Sequence, residues 1–179
     1  MSPRYHLLIR ILHWLMAALL ITTLGIGLYM TGMALSPAKL QTYSWHKWLG
    51  VSVFFLVLLR LILRLISTVP EHPAHMSVGA RRLANLGHWA LYVLMFAAPL
   101  SGWLMSSATG FQTVWFGVIP LPDLLAKDRA LAEVLKVAHH WINYAFIAVI
   151  VGHVIAALKH QFIDKDQVFK RISLAPNKD

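Results

Sequence analysis

The chain contains no cysteine and only 7 Asp+Glu among its 179 residues. The first absence excludes disulfides, iron–sulfur clusters, thiolate zinc sites and haem attached covalently through a C-x-x-C-H sequence. Any metal must be held by nitrogen or oxygen. Charge is also scarce: 13% of residues are charged, where a soluble domain carries roughly 25%. Hydrophobic residues make up 58%, and the polar remainder is gathered into short blocks, too little to cover a globule. This composition predicts an integral membrane protein and excludes a soluble enzyme. The 16 Lys+Arg give a formal net charge of +9, but they sit at the ends of apolar runs rather than on a polar face among aromatics. Nucleic acid is therefore not an expected partner.

A hydrocarbon core of about 30 Å needs about 20 apolar residues in a helix, and four stretches qualify. They are predicted at about 8–30, 45–66, 83–106 and 138–159, an all-α four-helix bundle forming a single domain over 1–179. Arg4, Arg10, Arg60, Arg64, Arg81, Arg82, Lys159, Lys165, Lys170, Arg171 and Lys178 fall on one side, against Lys39, Lys47, Lys127, Arg129 and Lys136 on the other. The richer side is cytoplasmic, so both termini are expected there. The first apolar run exceeds the 7–15-residue core of a signal peptide and no small-residue cleavage site follows it, so it reads as an uncleaved first helix.

The outer connections differ in length. Thr31 to Ser44 is short, whereas Ala108 to Val137 holds an aromatic and proline-rich part, Phe111 to Pro122, expected at the interface. The apolar spacing of Leu124, Leu125, Leu131, Val134 and Leu135 predicts an amphipathic helix capping the outer face and leading into the fourth span. Only the residues after Leu174 read as a disordered tail.

Of the 10 histidines, His13, His46, His88, His139 and His153 fall inside the predicted spans, where an ionisable residue is costly and marks a functional site. His139 and His153 are 14 residues apart, about 40° short of four full turns and about 21 Å in rise, so they share one face but cannot share one ion. His13 and His153 lie at matching depth near the cytoplasm; His46 and His139 match near the outer side. Two pairs of imidazoles stacked across a bundle are what two b-type haems need. A zinc or copper transporter would add carboxylates or sulfur, and the predicted spans contain neither Asp nor Glu. By depth, His88 competes with His13 and His153, leaving three candidates for two positions. His140 points about 100° from His139, and the 14-residue spacing favours His139. His6, His72 and His75 lie in terminal or loop sequence. Arg60, 14 residues from His46, falls on much the same face at the cytoplasmic level, placed to pair with a haem propionate or to snorkel to lipid headgroups.

These residues together resemble the bacterial cytochrome b561 family of small di-haem membrane proteins. The resemblance rests on His13-Trp14, Trp45-His46, Arg60 with Arg64, Leu86-Gly87-His88, Pro99-x-x-Gly102, His139, Gly152-His153 and His160. It implies one haem b held by His13 and His153 near the cytoplasm, a second held by His46 and His139 near the periplasm, and location in the bacterial inner membrane. His88 is not a ligand in that pattern. The same scheme occurs in cytochrome b subunits of hydrogenases and formate dehydrogenases, so the motif does not name the partner.

Iron with two axial imidazoles has no open position, which leaves electron transfer rather than oxygenase chemistry. The resemblance implies ubiquinone as the membrane-side partner, and His88 and His160 are the candidates for its site. On the outer face five basic residues meet only Asp123, Asp128 and Glu133, a field that attracts a small anionic donor, compatible with the superoxide oxidation associated with some family members, or a protein donor. Two other readings compete: a haem-bearing anchor subunit for a larger dehydrogenase or hydrogenase, and a transporter or metal-handling protein without haem.

Overall fold

The computed structural model describes residues 4–68, 70–73, 76–166 and 168–175; His75 and the end of the predicted tail lie outside them. Four helices dominate: α1 (Leu7–Thr31), α2 (Pro37–Ile66), α3 (Val78–Thr109) and α4 (Arg129–Lys159). All four are long and apolar enough to cross a membrane. Four crossings return the chain to the side it started from, which the distribution of Lys and Arg makes the cytoplasm.

The helices extend past the apolar runs because their first turns are capped. Ser36 accepts from the Lys39 N–H at 3.2 Å, with Pro37 opening α2, so α2 begins at Pro37 rather than near Trp45. Ser77 caps α3, and Gly110 (φ 78°) ends it in the left-handed region that a side chain would strain. Asp128 accepts from Leu131 N at 3.0 Å, and no glycine or proline follows until Gly152. The predicted separate capping helix over 124–137 is thereby corrected: from Arg129 onward it is the first turns of α4 itself.

The outer connection also holds two short strands, β1 (Val114–Trp115) and β2 (Ile119–Pro120), paired antiparallel. Tryptophans seat this hairpin on α2: Trp48 Nε1 donates to Val114 O at 2.7 Å, and Trp115 Nε1 donates to Trp48 O at 3.2 Å. Phe116 takes a positive φ of 50°, uncommon for a residue with a side chain, with its ring tilted against Trp48 at 5.5 Å between centroids. On the cytoplasmic side, residues 168–175 strap back over α1. Tyr5 N donates to Arg171 O at 3.2 Å, Trp14 Nε1 to Ile172 O at 3.0 Å, and the Arg10 guanidinium to Ser173 O.

Close helix packing runs α1 on α2, α2 on α3 and α3 on α4. The dry core is small and sits at mid-depth, built from Leu12, Met16, Val57, Met95, Ala98 and Phe146. Phe146, 1% exposed, lies midway between His139 and His153 on the same face of α4. Truncating it leaves a cavity that the surrounding helices cannot fill. Phe146→Ala should cost about 3 kcal/mol, the lower end of the range for such truncations, seen as a lowered Tm in detergent. Val151→Ala, at a lipid-facing position, should stay within about 0.5 kcal/mol of the parent.

Candidate functional site

The bundle brings the membrane histidines together in two places. Toward the outer face, His46 of α2 and His139 of α4 place their ring centroids 6.2 Å apart, with planes 86° apart. Toward the cytoplasm, His13 of α1 and His153 of α4 stand 6.3 Å apart at 67°. An imidazole nitrogen ligates a metal at about 2.0–2.1 Å and lies about 1.1 Å from its own ring centroid, so two imidazoles on opposite sides of one ion stand about 6.3 Å apart. Both pairs have that separation. His88 also adjoins His153, with ring centroids 5.6 Å apart.

The hydrogen bonds behind the outer pair select the nitrogen left free. Nδ1 of His46 lies 3.0 Å from Thr23 O; a carbonyl only accepts, so Nδ1 carries the proton and Nε2 keeps its lone pair. Nδ1 of His139 lies 2.8 Å from Ser101 Oγ, and that hydroxyl lies 2.8 Å from Ala98 O. The hydroxyl proton goes to the Ala98 carbonyl, so Ser101 accepts from His139, and Nε2 is again free. Ligating histidines are commonly held in this way.

The backbone of α4 packs closely along α3 but only sparsely against α1 and α2, the two helices with which it shares its histidine pairs. Glycines let the imidazoles approach: a Cβ on Gly27 of α1 would meet His46 Cε1 at 2.9 Å, and one on Gly102 of α3 would meet His139 Cε1 at 3.1 Å. At the outer pair two imidazoles with Nε2 free, on helices of which one packs mainly on α3, would suit the two nitrogen ligands of a haem.

The remaining predicted site residues fall as follows. Arg60 reaches the inner pair from α2, with Nη2 3.4 Å from His13 Nδ1 and Nη1 3.4 Å from Ile9 O. Arg64 lies over the Tyr92 ring at 5.7 Å. His160 stands beyond the last span, in a single π-helical turn (His160–Asp164), with Nδ1 2.6 Å from Asp166 and 3.4 Å from Asp164. His139, not His140, faces His46. His72 bonds Asn85 at 2.8 Å, and His6 caps α1, so both serve local structure. Sequence reasoning missed Ser101 and the two carboxylates at His160. The His160-x-x-x-Asp164-x-Asp166 spacing was a signal for the carboxylates; Ser101 left none. On the outer face, Lys39 and Lys47 donate to the carbonyls of Met33 and Phe111, with Asp123 close enough to Lys47 to favour its charge.

Four membrane helices carrying paired imidazoles at two depths define a membrane cytochrome of the b type. The chain belongs to the prokaryotic cytochrome b561 family, which matches residues 4–173, and so to a group of haem b proteins that transfer electrons in the bacterial inner membrane. It is 33% identical over 170 residues to cytochrome b561 homolog 2 of Escherichia coli (strain K12), covering 94% of this chain and 90% of that one. It is 30% identical over 179 residues to the probable superoxide oxidase CybB of Yersinia pestis, covering 96% and 97%. Cytochrome b561 homolog 1 of Escherichia coli (strain K12) is 28% identical over 172 residues, covering 90% and 92%.

The glycine contact gives a test. Gly27→Val should push His46 off its position and lower haem content, measured per chain by pyridine haemochrome. Gly25→Ala, where a Cβ meets nothing within 4 Å, should leave it unchanged.

Proposed function

We propose that this protein is a self-contained oxidoreductase that carries single electrons between a periplasmic donor and ubiquinone, through two haem b groups held by His46 with His139 and by His13 with His153. The observation that carries this reading is the pair of imidazole separations, 6.2 and 6.3 Å between ring centroids, at two depths of one bundle. Haem b held by two imidazoles would supply reversible one-electron transfer.

The protein's own groups account for the rest. Thr23 and Ser101 fix the tautomers of the outer imidazoles. Arg60, at the inner pair, offers a guanidinium for a propionate. Lys39 and Lys47 draw an anion toward the outer pair, and superoxide is the candidate, supported by the name of the Yersinia pestis relative. Quinone reduction consumes protons: two superoxide, one ubiquinone and two protons give two dioxygen and one ubiquinol. His88, beside His153, and His160, backed by Asp166, are the groups at cytoplasmic depth that can hand protons to a quinone oxygen.

A reduced-minus-oxidised spectrum of the detergent-purified protein tests this. Two b-type haems per chain, reduced by superoxide or ubiquinol with no other protein present, are expected. Two haems reduced by neither would favour a haem-bearing anchor subunit of a larger dehydrogenase, and no haem would overturn the reading. His139→Ala and His153→Ala should each remove one haem and keep the other. His88→Ala should keep both; losing one there would make His88 a ligand.

A further inference from the structure

His13 and His153 face each other from α1 and α4, two helices whose backbones pack only sparsely on one another. The chain itself crosses from one to the other on the cytoplasmic side. It leaves α4 at Lys159, and residues 168–175 lie along the start of α1. Tyr5 N donates to Arg171 O at 3.2 Å, Trp14 Nε1 to Ile172 O at 3.0 Å, Arg10 Nε to Ser173 O at 2.8 Å and Arg4 Nη1 to Ala175 O at 2.8 Å. At its other edge the Arg171 guanidinium donates to Glu71 O, in the connection between α2 and α3.

The strap reaches the depth of the inner imidazole. Trp14 follows His13, about 1.5 Å further along the helix axis. Its ring stands 5.3 Å from the His13 ring on one side and 6.3 Å from the Phe169 ring of the strap on the other. Strap, indole and imidazole are therefore in continuous contact. The shell of side chains around a metal site controls solvent access to it, and electron transfer to a dissolved acceptor falls steeply with distance. A packed layer on the water side therefore shuts out soluble acceptors and leaves a carrier that arrives through the lipid unaffected.

We propose that the C-terminal strap determines which partner the inner centre serves: it covers the cytoplasmic end of the α1–α4 pair, so that electrons leave to a membrane-dissolved carrier and not to water-soluble oxidants. The excluded step is the passage of one electron from the inner ferrous iron to a soluble acceptor, leaving ferric iron and the acceptor reduced by one electron. The inference rests on the ligand assignment proposed above and adds a discrimination between partners.

The test uses inverted membrane vesicles, in which only the cytoplasmic face of the haem-loaded protein meets the medium. The protein is reduced without oxygen and mixed with ferricyanide, an anion that does not cross the bilayer, or with decylubiquinone, which dissolves in it. The parent should react slowly with ferricyanide and rapidly with the quinone. Truncation after Val168, or the full-length double variant Arg10→Met/Trp14→Phe, should speed oxidation by ferricyanide severalfold and leave oxidation by the quinone unchanged. Trp14→Phe keeps an aromatic ring beside His13 and removes only the donor to Ile172. The double variant carries the measurement if the truncated chain loses haem, and faster tryptic cleavage at Lys170 and Arg171 shows that its strap is released. The double variant loses Arg10, and the truncation loses Lys170, Arg171 and Lys178 against Asp179 alone. Both changes weaken the attraction of an anion, so a faster ferricyanide reaction cannot come from charge. Rapid ferricyanide oxidation of the parent, no acceleration once the strap is released, or equal acceleration with both acceptors would overturn the inference. Failure of the ligand assignment would look different, because His153→Ala would then keep two haems. Failure of the quinone reading would appear as a parent protein that decylubiquinone does not oxidise, and the ferricyanide comparison would still decide the role of the strap.

Discussion

A neutral imidazole inside a bilayer has one nitrogen that must donate and one that must accept, and hydrocarbon offers neither partner. Each histidine in these helices therefore brings an obligation the fold has to meet. At the outer pair the donor side is met within the protein, by a helix carbonyl at Thr23 and a hydroxyl at Ser101. The two rings stand 6.2 Å apart between centroids, edge to face, each with its Nδ1 proton already placed by the fold.

The packing follows from that obligation. In a bundle stabilised only by its own contacts, α4 would close on α1 and α2. Here its close contacts run along α3, and the apolar core cluster gathers around Phe146 and Val57. On the outer side of that cluster, Gly27 and Gly102 adjoin the imidazoles of His46 and His139. Small residues in a membrane bundle usually bring backbones together. Gly27 and Gly102 instead bring a backbone against a ring, which leaves room on the ring's other side.

Much of this was legible in the sequence because depth and rotation are the quantities a helix encodes directly. Runs without charge located the spans, and the 14-residue interval from His139 to His153 placed both on one face and separated His139 from His140. The ends of the helices were less legible. Ser36 with Pro37 and the Asp128 cap extend α2 and α4 past their apolar runs, and hydropathy carries no capping signal. The hairpin was hidden for another reason: its two-residue strands have no periodicity, and indole N–H donors to backbone carbonyls seat it on α2. Ser101 was invisible as well, since only the crossing of α3 and α4 shows that it faces His139.

The two ends of the bundle are closed by different chemistry, and this gives the molecule its polarity. Outside, a hairpin anchored by tryptophans sits on α2, with Lys47 donating to Phe111 O at its edge. Inside, the strap of residues 168–175 is tied to α1 through Arg10 and through Trp14, whose ring lies 5.3 Å from His13. There the last helical turn presents carboxylates, with Asp164 bound by Lys159 and Asp166 against His160. A cationic outer face suits a small anion that loses an electron and needs no proton. An inner face where imidazole meets carboxylate suits a carrier that gains electrons and must take up protons with them.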